Sequence, residues 1–174
     1  MVLINLTGIT TEAWTHLEDD MMPGADTRVA APLARLTEEA EGFFAAVEAV
    51  GAVVSTDADY RSLAPLANKL SFVVIDFPAF GDGRGFSLAV RLRKDLGFTG
   101  EIRATGPVIP DQAIHLMRSG FDTVEVEDKR EAAFKAALKR YSVFYQSDYT
   151  GRTALTHARH AVQERRPEQQ RKAS

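Results

Sequence analysis

Phe72-Val73-Val74-Ile75-Asp76, running directly into Phe77-Pro78-Ala79-Phe80-Gly81-Asp82-Gly83-Arg84-Gly85, decides the fold. Phe72 to Ile75 are consecutively apolar and three of them are β-branched. They lack the alternation of a half-exposed strand, so they predict a strand buried on both faces. Asp76 and Pro78 end it, and the glycines lead into a helix. From Arg84 to Leu96 the period is helical: Leu88, Ala89, Leu92 and Leu96 form an apolar side, while Arg84, Arg91 and Asp95 share the opposite one. Gly97 stops this helix.

The same rhythm extends in both directions. Upstream, Val29-Ala30-Ala31-Pro32-Leu33 reads as a weak strand whose proline points to an edge or a strand end. Thr37-Glu38-Glu39-Ala40 resembles a capped helix start, with Phe43, Phe44, Val47 and Val50 behind it. Gly51 suits its C-cap, Ala52-Val53-Val54 a second strand, and Leu63 to Leu70 a short helix. Downstream, Glu101-Ile102-Arg103-Ala104 is the fourth strand. Pro110 opens a helix with Ile114 and Met117 facing inward and Gly120 as its cap. Thr123-Val124-Glu125-Val126 is the fifth strand. A last helix starts near Lys129, with Phe134, Ala137, Leu138, Tyr141, Phe144 and Tyr145 as its core stripe.

Strand and helix alternate about five times, which predicts parallel strands joined by crossover helices. The expectation is an α/β fold with a five-stranded, mainly parallel, open sheet of flavodoxin-like type, the Phe72–Ile75 strand central and helix-covered on both faces. Half of a β/α barrel is the alternative; five units are too few for a closed barrel. Residues 1–26 form an N-terminal lead-in, 27–149 a single α/β domain, and 150–174 a basic C-terminal tail without apolar periodicity.

Composition narrows the function. The 174 residues contain no cysteine, which excludes zinc ribbons, iron–sulfur clusters and thiol chemistry. The body through Tyr149 carries 15 basic and 22 acidic residues; the tail carries six basic and two acidic. An acidic body argues against a nucleic-acid partner. No apolar run is long enough to span a bilayer, so no membrane partner is expected and the expected location is the cytoplasm. The basic tail suits an acidic partner or the protein's own acidic face. A homodimer stays open.

In an open parallel sheet, ligands bind outside the carboxyl ends of the strands. The segments expected to converge there are Asp76–Gly85, Arg103–Pro107 and Glu127–Lys129. The glycine-rich loop is the most informative: Gly83 and Gly85 let the backbone approach a ligand, the following helix offers free N–H groups, and Arg84 adds a planar guanidinium. These three, with Arg103 if its side chain turns toward them, are the candidate small-anion site; the plainer reading is a turn in which Asp82 caps the helix. Thr105, Asp111 and Gln112 belong to the loop region at the fourth strand end. Asp76 and Asp82 are the weak candidates for acid/base catalysis. The loop is neither a dinucleotide fingerprint nor a Walker loop, since Phe86 stands where a third glycine belongs and no Gly-Lys-Ser/Thr follows. A phosphoacceptor receiver needs acidic magnesium ligands after the first strand, and Ala34 and Arg35 stand there. His157 and His160 lack further ligands, so no metal site is expected. His115 reads as surface and His16, beside Trp14, as structural.

The ordered string Asp76-Phe77-Pro78-Ala79-Phe80-Gly81-Asp82-Gly83-Arg84-Gly85-Phe86-Ser87, Gly97-Phe98-Thr99-Gly100-Glu101-Ile102-Arg103-Ala104, Asp111-Gln112 and Arg118-Ser119-Gly120-Phe121-Asp122 resembles the bacterial domain-of-unknown-function family 934. Trp14-Thr15-His16-Leu17 and Pro32-Leu33-Ala34-Arg35-Leu36 fit the same family. Its members are described as probable oxidoreductases of sulfite reduction, with sulfite/nitrite reductase or phosphoadenylyl-sulfate reductase subunits as the implied partners. Members usually carry Cys where Ser119 stands, Arg where Pro110 stands and a polar residue where Pro107 stands. A thiol role therefore cannot operate here, and one candidate anion contact is missing.

The leading expectation is an accessory protein of assimilatory sulfite or sulfate reduction with a small anion at the Asp82–Arg84 loop. The alternatives are an enzyme of the same pathway using a bound cofactor or partner, and a structural partner of the reductase without a ligand. No cofactor is identified, although flavodoxin-like sheets bind FMN through loops of varied sequence.

Overall fold

The structure, a computed structural model, describes residues 1–8, 14–17, 28–39, 44–45, 47–140 and 148–150. Phe43, Tyr141, Phe144, Tyr145, His157, His160 and the tail beyond Thr150 lie outside the described residues. The elements are β1 (Val2–Asn5), β2 (Thr15–His16), β3 (Arg28–Pro32), α1 (Leu33–Glu38), β4 (Ala49–Ser55), a 3-10 turn (Tyr60–Leu63), β5 (Phe72–Asp76), α2 (Arg84–Lys94), β6 (Glu101–Thr105), a 3-10 turn (Pro110–Gln112), α3 (Ala113–Ser119), β7 (Thr123–Val126), a 3-10 turn (Asp128–Arg130) and α4 (Glu131–Lys139).

The strands form a mixed seven-stranded sheet, ordered β1-β7-β6-β5-β4-β3-β2, that curls into a half-barrel. Every pair is parallel except β1 on β7. The expected five strands become seven because the lead-in supplies β1 and β2. The open flavodoxin-like sheet gives way to the half-barrel alternative, and strand order explains why. From β2 to β7 each strand lies next to its predecessor, so the right-handed crossovers all advance in one direction and carry their helices to the same face. An open doubly wound sheet needs a reversal of strand order, and this order has none.

Alternation then sorts the side chains. Val29, Ala31, Ala52, Val54, Val73, Ile75, Ile102, Ala104, Val124 and Val126 point to the helical, convex face and join the main core with Phe86, Leu88, Leu92, Leu116 and Phe134. Ala30, Phe72 and Val74 form a separate cluster on the concave face, packed with Trp14 and Val53. The central strand is thus buried on both sides, but among the described residues helices cover only one of them. An aromatic layer covers the other: the Trp14 and Phe72 rings stack with centroids 5.2 Å apart.

Several local expectations shift for identifiable reasons. Gly51 is not a helix cap but lies inside β4, where a Cβ would come within 1.9 Å of the Phe72 ring. Val50 is likewise a strand residue. Thr37 lies near the end of α1 rather than before a helix, its hydroxyl donating to the Leu33 carbonyl oxygen at 2.9 Å. β3 is interior, with Pro32 ending it where no further ladder N–H is needed. Leu63 to Leu70 forms a 3-10 turn and successive turns instead of a helix. In α3 the fully buried positions are Ala113, Leu116 and Ser119, with Ile114 and Met117 half-buried, because the 3-10 turn at Pro110 rotates the helix phase. Gly120 caps α3 as expected, at φ +101°.

One polar knot ties this architecture together. Arg93 of α2 donates from Nε to the Gly120 carbonyl oxygen at 3.0 Å and from Nη1 to the Phe98 and Gly100 carbonyl oxygens at 2.7 Å each. Its Nη2 donates to Asp122, and both side chains are nearly sequestered from solvent. Asp122 also accepts from the Ile102 backbone N–H at 2.8 Å and the Thr7 hydroxyl at 3.2 Å. Every nitrogen of this buried guanidinium has a partner, and removing it strands a carboxylate and three carbonyls. Arg93→Met should therefore lower unfolding stability by about 3–5 kcal/mol in urea denaturation. The double variant Arg93→Met/Asp122→Asn should recover part of that loss, because no charge is then left unpaired.

Candidate functional site

The glycine-rich loop sits at the carboxyl end of β5, but its polar groups face each other. Asp82 accepts from the Arg84 backbone N–H at 3.0 Å, from Arg84 Nε at 3.0 Å and from Arg84 Nη2 at 2.7 Å. It also accepts from the Thr56 hydroxyl at 2.6 Å. The remaining Arg84 nitrogen, Nη1, lies 3.6 Å from Asp57. A carboxylate of the chain thus occupies the position at the start of α2 where an external anion would bind. These bonds, the guanidinium first and the Thr56 hydroxyl second, hold the Asp82 carboxyl well below the usual range, so it stays ionised. Asp57 is also lowered, chiefly by the Ser55 hydroxyl, with Arg84 adding to the effect.

Arg103 does not join Gly83, Arg84 and Gly85. Strand alternation places it on the concave face, opposite α2, in a cleft of about 360 Å³ lined with Trp14, Val74, Asp76, Thr105 and Glu125 among others. Arg103 is 5% exposed. Its Nε and Nη2 donate to one Glu101 oxygen at 3.0 and 2.8 Å, and the same oxygen accepts from the Thr123 hydroxyl at 2.5 Å. Its guanidinium carbon stands 4.6 Å from the centre of the Trp14 ring, which sets the cation over an aromatic face. Among the described residues Nη1 of Arg103 has no hydrogen-bond partner, nor has the buried Trp14 Nε1.

Asp76 lies at the top of the same cleft, exposed, with Oδ1 accepting from the Thr105 hydroxyl at 3.0 Å. The two catalytic candidates are therefore in different environments: Asp82 is locked on the helical side, and Asp76 on the concave side has no partner at Oδ2 among the described residues. Gln112 pins the loop after β5, donating to the Phe80 carbonyl oxygen at 2.7 Å and accepting from the Ile109 N–H at 3.0 Å. Asp111 is exposed and meets Arg140 at 3.8 Å. After β7, Glu127 pairs with Lys129 at 2.8 Å, and Asp128 pairs with the amino group of Met1 at 3.2 Å. Among the described residues no cluster of His, Asp or Glu is arranged to hold a metal ion, and no helix is long and apolar enough to cross a membrane.

Sequence reasoning missed Trp14 and Glu101 as partners of Arg103, Thr123 as the hydroxyl that bonds Glu101, and Glu125 as a further wall of the cleft. Their signal is present: Glu101-x-Arg103-x-Thr105 and Thr123-x-Glu125 place polar residues at period two in adjacent strands. That pattern marks a polar sheet face, incompatible with helices on both sides.

Two pH effects follow. Asp82 is held down in the fold and is ordinary in the unfolded chain, so it stabilises above about pH 4 and loses that contribution as pH falls. Asp82→Asn should lower stability at pH 7 and flatten its decline below about pH 4, read by urea denaturation across that range. His115 packs its ring 4.2 Å from Phe86, and burial, with Arg118 second, pushes its imidazole below the usual range. The unfolded chain then binds the proton more readily than the fold does. Stability should decline as pH drops through about 6.5, and His115→Phe should remove that slope in thermal melts.

The sequence model of a bacterial protein family of unknown function, DUF934, matches residues 51–156. No curated protein sequence is significantly similar to the chain. The match covers more than half of the chain and spans β4 through α4, including Asp76, the Asp82–Arg84 loop and Arg103. The chain belongs to the DUF934 family.

Proposed function

We propose that this protein is an accessory component of assimilatory sulfite or sulfate reduction that holds a small ligand on its concave face and runs no redox chemistry by itself. The motif string from Asp76 to Asp122 supports the pathway, through the resemblance it carries. The cysteine-free sequence supports the non-redox role, since the thiol that relatives usually carry is Ser119 here.

One observation carries the ligand site. All three Arg84 nitrogens face carboxylates, Asp82 of its own loop and Asp57 of the loop beside it, whereas Arg103, equally fixed in place, lines a cleft with its Nη1 unpartnered among the described residues. A preorganised guanidinium with an unused donor is the better anchor, because no internal bond must break before a ligand binds. The expected anionic contact thus passes from the glycine loop to Arg103. A second reading, an enzyme of the same pathway, draws on Asp76, an exposed carboxylate at the carboxyl end of a central strand, where β/α architectures place their chemistry.

Affinity purification of the tagged protein from its native host, with mass spectrometry of the bound proteins, tests the reading. Sulfite/nitrite reductase or phosphoadenylyl-sulfate reductase subunits should be enriched over an untagged control. Recovery without either class would overturn the accessory role. Visible absorption of the same preparation separates the readings further: a flavin or haem spectrum on the isolated chain would favour the enzyme.

A further inference from the structure

Strand register arranges the concave side chains in rows. Ser55, Asp76 and Thr105 are direct neighbours on β4, β5 and β6, and continuing the β6–β7 register sets Glu125 beside Thr105. The row below runs through Val53, Val74, Arg103 and Thr123. Rows lie about 6.6 Å apart along the strands, and neighbours within a row about 4.8 Å apart. The cleft therefore carries a fixed cation in one row and two carboxylates, Asp76 and Glu125, in the row above. Glu101 pairs with Nε and Nη2 of Arg103, and Nη1 has no partner among the described residues.

This charge pattern discriminates between ligands. A simple anion on Arg103 Nη1 would also face Asp76 and Glu125, and like charges at such spacing repel. A simple cation at the two carboxylates would face Arg103. A molecule with both charges gains at both ends. The second, independent pointer is Arg103 itself, whose side chain is 6% exposed, lines the cleft and has a nitrogen, Nη1, without a partner among the described residues.

We propose that the concave cleft binds a small zwitterion, with its oxyanion on Arg103 Nη1 against Trp14 and its primary ammonium between Asp76 and Glu125. This rests on the ligand-holding reading above and names its chemical class. A cleft of about 360 Å³ suits a molecule of amino-acid size. Trp14 is the only tryptophan, so its fluorescence reports on the site directly.

The test titrates the full chain with glycine, β-alanine, 4-aminobutanoate and 2-aminoethanesulfonate, followed by Trp14 fluorescence and calorimetry. Propionate and propylammonium serve as single-ended controls. At least one zwitterion should bind at millimolar or lower concentration, and both controls should bind at least about 10-fold more weakly, as loss of one charge-assisted contact requires. The sulfonate against β-alanine, of matched length, distinguishes the two oxyanion chemistries. Asp76→Asn and Glu125→Gln, both on accessible positions, should each weaken binding. Arg103→Met/Glu101→Gln removes the anchor without leaving a buried charge and should abolish it.

Absence of binding by every zwitterion, equal binding by propionate, or unchanged affinity in Asp76→Asn and Glu125→Gln would overturn the proposal. The titration uses purified protein alone. A positive titration with no reductase partner would overturn the pathway reading and leave this one standing, and the reverse pair of results would do the opposite.

Discussion

Arg93 and Asp122 form the constraint on which the sheet's shape depends. Their pairing joins α2, the turn before β6, the cap of α3 and the start of β7 at one buried point. Each crossover after β5 must return to this end of the sheet, and the guanidinium fixes where it does so. Gly120 shows how tight the junction is: its φ of +101° suits glycine, and a Cβ there would lie 2.7 Å from Arg93 Cγ. Buried ion pairs contribute little net stability relative to an apolar replacement, but they penalise every arrangement that separates them. Here the pair specifies where helix and strand meet.

With that junction fixed, the sheet divides its chemistry by face. The convex side is aliphatic and aromatic, packed under helices on which Phe86 and Phe134 are buried. The concave side is mixed: Phe72, Val74 and Ala30 at one side, then Arg103 and its carboxylate and hydroxyl partners. Trp14 bridges the two parts, stacked on Phe72 and lying against Arg103. A residue from the shortest strand region of the sheet thereby completes the wall of the cleft.

Most of the fold was legible as periodicity. β5, α2, β6 and β7 lie where the apolar runs place them, because each carries enough signal within its own span. The half-barrel was harder to choose, since the same strand–helix alternation serves both architectures and only strand order separates them. β1 and β2 were missed because one is four residues long and the other two, and their pairing partners are remote. Gly51 misled for a similar reason: its meaning comes from Phe72, twenty-one positions away, and not from its neighbours. At the site, the Asp82–Arg84 loop was legible as a helix start. That its charges would pair with each other, and that Arg103 would face the other way, depended on Thr56, Asp57 and Glu101 reaching across from other segments.

β1 has a consequence for how the molecule is made. Its register sets Val2 opposite Val126 and Asn5 opposite Thr123. Among the described strands β1 comes first along the chain, yet it pairs with β7, the last of them. The parallel units from β3 to β7 can assemble in sequence as they emerge, each on its predecessor. β1 must wait, and its pairing closes the largest loop in the domain, a late and slow event by the cost of loop closure. Once in place it runs against the direction of its neighbour and ends the parallel series at that edge. The earliest of the described strands is thus the one that completes the sheet at this edge.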